Sequence, residues 1–142
     1  MLEFSELIAV FACTLFAGAA LYINLVEHPA RLFCGTELAA TEFGPSYKRA
    51  TVMQVSLALL AALAGVIRGF LGGGGIWFIG AFAIFAPIPF TLLFILPINN
   101  RLLDPARDRA SAETRALLER WGRLHAVRTM FSLAASLLFV VA

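Results

Sequence analysis

Runs without a charge constrain this chain more than any other feature. Leu7 to Val26 is such a run of 20 residues, Ala50 to Ile67 one of 18, and Gly69 to Ile98 one of 30. A helix needs about 20 apolar residues to cross the hydrocarbon core of a bilayer. The first two runs fit one crossing each. The third is too long for one and contains Gly72-Gly73-Gly74-Gly75, so a turn is expected there, followed by a span from Ile76 to Ile98. Thr129 to Ala142 supplies only 14 residues and reaches span length by starting near Leu124, which brings His125 and Arg128 to membrane depth.

The expected fold is therefore all-α, an integral membrane four-helix transmembrane bundle. It forms one domain over residues 1–142, with spans at about 7–26, 50–67, 76–98 and 124–142. Composition agrees: 61% of residues are hydrophobic and 14% charged, against about 45–50% and 25% in soluble domains. So apolar a chain of 142 residues is neither disordered nor a two-domain soluble enzyme. A net charge of +2 points to no nucleic-acid partner. Cys13 and Cys34 form no CxxC or zinc pattern and are separated by helix and loop, which argues against a thiol redox enzyme. The first six residues carry two acidic groups and no basic one, so the first span is not expected to be a cleaved signal.

Basic residues set the expected orientation. Arg31, Lys48 and Arg49 lie in the first connection. Arg101, Arg107, Arg109, Arg115, Arg120, Arg123 and Arg128 lie in or at the edge of the third, while Arg68 alone marks the second. Connections one and three are thus expected in the cytoplasm of a multi-pass plasma (inner) membrane protein, with both termini outside. Pro87 and Pro89 should kink the third helix. Asp104 or Ser111 should cap the fourth, and the small residues around Gly18 offer a packing patch.

With that topology the polar residues gather at one depth on the cytoplasmic side. Asn24, Glu27, His28 and Arg31 close helix one, and Tyr47, Arg49 and Gln54 open helix two. Asn99, Asn100 and Arg101 close helix three, and Trp121, His125, Arg128 and Thr129 open helix four. Trp121, His125 and Arg128 follow i, i+4, i+7 and share one helix face; Asn24 and His28 follow i, i+4. Pro29 disfavours helical geometry at His28, which should sit at a helix end. Each group has an ordinary reading too. Arg31 and Arg128 can snorkel, Trp121, Tyr22 and Tyr47 can be interfacial, Asn99 and Asn100 can end a helix, and Glu27 can pair with an arginine. Histidine gains little from snorkelling and titrates near neutral pH, so His125 and His28 carry the functional reading.

Asn24-Leu25-Val26-Glu27-His28-Pro29-Ala30-Arg31, Pro97-Ile98-Asn99-Asn100-Arg101-Leu102 and Trp121-Gly122-Arg123-Leu124-His125-Ala126-Val127-Arg128-Thr129 together resemble the anthrone oxygenase-like family. These are small four-helix membrane proteins, and the resemblance covers nearly the whole chain. It implies a cofactor-free oxidation of anthrones by dioxygen, as in the characterised fungal members, and carries over Asn24, His28, Asn99, Trp121, His125 and Arg128.

The expected mechanism uses His125 as base, Trp121 to stack on a flat ring, and Arg128 with Asn99 or Asn24 to hold a developing enolate oxygen. His28 is a further catalytic candidate, and Arg31 and Asn100 are further substrate contacts. The partners are a hydrophobic substrate, dioxygen and membrane lipid, with a homo-oligomer left open. No cofactor is expected. A metal held by His28, His125 and Glu27, or a haem between the histidines, is the rival chemistry, although no HxxxH or HExxH spacing supports it. A non-enzymatic assembly or transport component is the third reading.

Overall fold

The computed structural model describes residues 2–142, with side chains from Phe4 onward. Four helices are each long and apolar enough to cross a membrane: α1 (Phe4–Phe33), α2 (Thr36–Gly73), α3 (Gly75–Leu102) and α4 (Ala112–Val141). They form a square bundle in which α1 and α3 sit on opposite corners, each packed against α2 and α4. No strand occurs among the described residues.

The helices run well beyond the charge-free runs. The first connection is only Cys34 and Gly35, with Gly35 at φ 102°. Arg31, Lys48 and Arg49, expected in a loop, are therefore helical. The α2–α3 reversal uses Gly72 at φ 98° and Gly74 at φ 82°, the left-handed conformations that glycine adopts without a Cβ clash. Of the two proposed caps for α4, Ser111 is the one used, accepting a hydrogen bond from the Thr114 backbone N–H. The basic ends of α2 and α4 prolong the bundle past the apolar runs.

Prolines shape α1 and α3. The helix of α1 passes through a wide π turn, Ile23–Glu27, in which the His28 N–H bonds the Ile23 carbonyl five residues back. Pro29 comes immediately after. In α3 the π turn Thr91–Ile95 ends with the Leu96 N–H on the Thr91 carbonyl, and Pro97 is next. A proline in a regular helix lacks an N–H and clashes with the carbonyl four residues back. An extra residue in the preceding turn relieves that clash and keeps the helix going. His28 thus has ordinary helical angles, φ −66° and ψ −45°, and not the helix end expected of a residue before proline. The regular α-helical hydrogen bonding of α3 is also interrupted at Ala86, before Pro87, where the prolines begin, although Ala86 keeps helical angles of φ −52° and ψ −35°.

Two apolar clusters hold the bundle. One is built largely of alanines, with Phe16, Trp77, Ile84 and Phe139. Its closest approaches are at Gly65 and Gly80, where an added Cβ would lie 2.7 and 2.5 Å from the Phe139 ring. Of the small residues around Gly18, Ala17 and Ala20 are buried in the bundle, Ala20 within this cluster, while Gly18 itself faces open space. The second cluster packs Ile23, Phe43, Ile95, Ile98, Leu102, Leu117, Leu118 and Trp121 at the basic end. Between the two lies a layer of polar side chains.

Candidate functional site

The layer begins with Asn24, which the π turn of α1 directs toward α4. Its Nδ2 donates to the Gly122 carbonyl at 3.1 Å. That bond orients the amide, so Oδ1 is the acceptor facing His125 Nδ1 at 2.8 Å. Thr129 Oγ1 donates to the same oxygen at 2.5 Å. Because Oδ1 can only accept, the proton of a neutral His125 sits on Nδ1 and Nε2 keeps the lone pair. Asn24 is therefore a tether that selects the tautomer of His125.

Trp121 lies one turn below His125. The two rings stack with centroids 4.8 Å apart, and the indole N–H donates to Asn99 Oδ1 at 2.9 Å. Phe43 meets Trp121 edge-on at 5.4 Å and stacks on Tyr47 at 5.7 Å. His125, Trp121, Phe43 and Tyr47 line a small cavity of about 30 Å³, together with Arg128, Gln54, Ser46, Glu27 and Arg31.

Arg128 is the electrostatic centre of this cavity. It is half-buried, its Nη2 donates to Gln54 Oε1 at 2.9 Å, and its guanidinium lies 5.8 Å from the Phe16 ring centroid. Arg31, Arg68, Arg107 and Arg115, the other arginines that are not exposed, each pair with a carboxylate. Arg128 makes no such pair among the described residues. Its Nε and the Gln54 Nε2 are buried without a hydrogen-bond acceptor. A charge at membrane depth costs roughly 2.5–3.5 kcal/mol on insertion scales. An uncompensated guanidinium with a spare donor beside it favours an electron-rich oxygen in the cavity.

Other candidates occupy different places. Arg31 is buried and does not snorkel: Glu27 pairs with it, Glu42 Oε2 lies 2.9 Å from its Nε, and Ser46 Oγ joins the group. Glu27 thus has the arginine partner that is its commonest fate. Asn99 is fully buried, with its oxygen on Trp121 and its Nδ2 unpartnered. Asn100 is exposed.

His28 is buried against the Trp121 ring at 5.1 Å but is not among the residues lining the cavity. It lies instead behind a shallow surface groove with Leu32, Glu119 and Arg123. Gly122 makes room for it, since a Cβ there would come within 2.7 Å of the imidazole. No cluster of three or more His, Cys, Asp or Glu side chains suited to a metal occurs among the described residues. His28, His125 and Glu27 therefore do not come together as a ligand set.

The cavity also uses residues that the reading of the sequence undervalued. Tyr47, Thr51 and Gln54 all line it. They follow i, i+4, i+7 on α2, the spacing that singled out Trp121, His125 and Arg128 on α4. Treating Tyr47 as an interfacial aromatic hid that stripe.

A family model described as anthrone oxygenase matches residues 43–138. A curated relative, anthrone oxygenase tpcL from Aspergillus fumigatus, is 32% identical, with 92% of this chain and 87% of that protein covered. No solved structure matches the chain. The family match takes in α4 and its Trp121, His125 and Arg128 face, and the relative covers most of the chain, so this four-helix protein belongs to the anthrone oxygenase family.

Proposed function

We propose that the protein is a membrane oxygenase that uses dioxygen to oxidise a hydrophobic aromatic substrate, anthrone-like or polyketide-like. One observation carries the reading. His125, its Nδ1–H committed to Asn24, lines the same cavity as an arginine with no carboxylate partner. The family membership and the relative's name, anthrone oxygenase, support the same chemistry.

An anthrone carries a CH2 between two aromatic rings, opposite a ketone. His125 Nε2 takes one of its protons, which turns the ketone into an aromatic enolate. The charge collects on the ketone oxygen, where Arg128 and the Gln54 amide N–H hold it in a water-poor site. Trp121, stacked on the His125 ring at 4.8 Å, holds the plane of the base. The enolate passes one electron to dioxygen, and the two radicals join in a carbon–oxygen bond. The resulting peroxide takes the proton from His125. Loss of the second C–H proton then breaks the O–O bond. One oxygen atom remains as the new ketone and the other leaves as water, so no outside reductant is needed. None of these steps calls for a resident metal or haem.

The same reading puts the protein in the plasma membrane, with both termini outside and the polar cavity toward the cytoplasm. The gathering of basic residues at one end of the bundle supports that orientation. The test is His125→Ala in lipid nanodiscs with an anthrone. Oxygen uptake should fall at least about a hundredfold, the scale of a lost general base. Unchanged turnover in the folded variant would sink the assignment.

A further inference from the structure

The polar cavity cannot hold the substrate that this chemistry requires. At about 30 Å³ it has room for a water or a dioxygen molecule and little else. A second cavity of about 110 Å³ adjoins it, and the two share Tyr47, Thr51, Gln54 and Arg128 as a common wall. The far side of this second chamber is apolar: Val55 and Ala58 of α2 and Pro87, Ile88, Leu92 and Leu96 of α3 line the seam between those helices, with Phe16 of α1 completing it. Leu92 at its rim is 58% exposed and Val55 37%, so the chamber reaches the outer surface where lipid lies.

Resting on the oxygenase reading, we infer that the hydrocarbon body of the substrate enters sideways from the bilayer and lies in the α2–α3 chamber. Its rings lie side-on to the shared wall, with the ketone on Arg128 and Gln54 and the CH2 turned toward the His125 side of the wall, where dioxygen takes the polar cavity. Sizes favour this division. A dry cavity of about 150 Å³ holds one benzene ring. Three fused rings therefore overfill the α2–α3 chamber, and they fit only by extending through its mouth into the lipid.

The chemistry of the wall fits as well. Arg128 Nε and Gln54 Nε2 are both buried donors without acceptors, placed where an apolar compartment meets a polar one. The structure of α3 also suits a mouth. Thr91 begins a π turn and its hydroxyl donates to the Pro87 carbonyl at 2.7 Å, so the backbone beside the opening is already loosened from regular helix.

Three tryptophan variants in nanodiscs test the route. Val55→Trp and Leu92→Trp plug the mouth from its lipid-exposed rim, where bulk is tolerated. Leu15→Trp, on the lipid face of α1, is the control. Two quantities are read: steady-state oxygen uptake with an anthrone, and binding of anthraquinone followed by quenching of tryptophan fluorescence. The plugged variants should raise KM and the apparent Kd at least tenfold with kcat within about threefold of the parent, while Leu15→Trp changes neither. Equal binding in all three variants and the parent overturns the lateral chamber. So does cross-linking of an azido-anthraquinone photoprobe away from Phe16, Tyr47, Arg128 and residues 51–58 and 87–96. Binding that the rim variants weaken, in a parent that consumes no oxygen, leaves the chamber standing and overturns the oxygenase reading instead.

Discussion

Replacing Asn24 with alanine isolates what holds the proposed base. The amide makes three bonds to α4: from Nδ2 to the Gly122 carbonyl, and at Oδ1 with His125 Nδ1 and the Thr129 hydroxyl. Two of these losses are cheap. Thr129 keeps the Ala20 and His125 carbonyls within 3.3 Å, and Gly122 belongs to a continuous helix. The third leaves the His125 Nδ1–H without its acceptor in a side chain that is 1% exposed. An orphaned buried donor costs about 1–3 kcal/mol. The imidazole avoids that cost by moving its proton to Nε2, which removes the lone pair that the reaction needs. Each 1.4 kcal/mol is a factor of ten in rate, so kcat should fall roughly 10- to 100-fold. KM should change little, because Asn24 does not line the cavity. Oxygen uptake measures the rate, and 15N shifts of labelled imidazole report which nitrogen carries the proton. Asn24→Asp, which still accepts from Nδ1–H, should retain more activity than Asn24→Ala. Full kcat in Asn24→Ala, or a parent enzyme with its His125 proton on Nε2, would refute the reasoning.

The same geometry fixes further outcomes. Arg128→Gln should lower kcat about a hundredfold, the scale of a lost oxyanion donor, yet raise thermal stability, because an uncompensated guanidinium leaves the interior; uptake assays and a melting curve on one sample check the opposition. Gly122→Ala should cost about 1–3 kcal/mol by pressing a Cβ onto the His28 imidazole, and combining it with His28→Ala should recover most of the lost Tm. His28→Ala alone should leave oxygen uptake within about fivefold of the parent, since the imidazole lies outside the cavity, where His125→Ala loses at least about a hundredfold.

Much of this molecule was legible as pattern. Charge-free runs locate helices because a bilayer strongly disfavours exposed backbone and buried charge. The i, i+4, i+7 spacing of Trp121, His125 and Arg128 places them on one face because α4 is regular through that stretch. The reading weakens where a helix is irregular. Each π turn adds a residue and rotates the helix before it relative to the helix after it. Spacing alone thus could not tell that Asn24 faces α4 as a tether. Nor could it separate His28 from His125, since both rest on the Trp121 ring and only one borders the cavity. Gln54 stands in the polar belt of the sequence but without a role there, because a lone glutamine in an apolar run has no partner until α4 packs beside it and sets Arg128 on its oxygen.

Phe139 lies against Gly65 and Gly80 with Trp77 stacked on it at 5.2 Å, among the buried alanines of the first cluster. That half of the bundle is a stopper. On the proposed chemistry both substrate protons leave in the water formed at the polar end of the bundle. Turnover should then be electrically silent: it would move no charge across the bilayer, and its rate should be indifferent to the membrane potential.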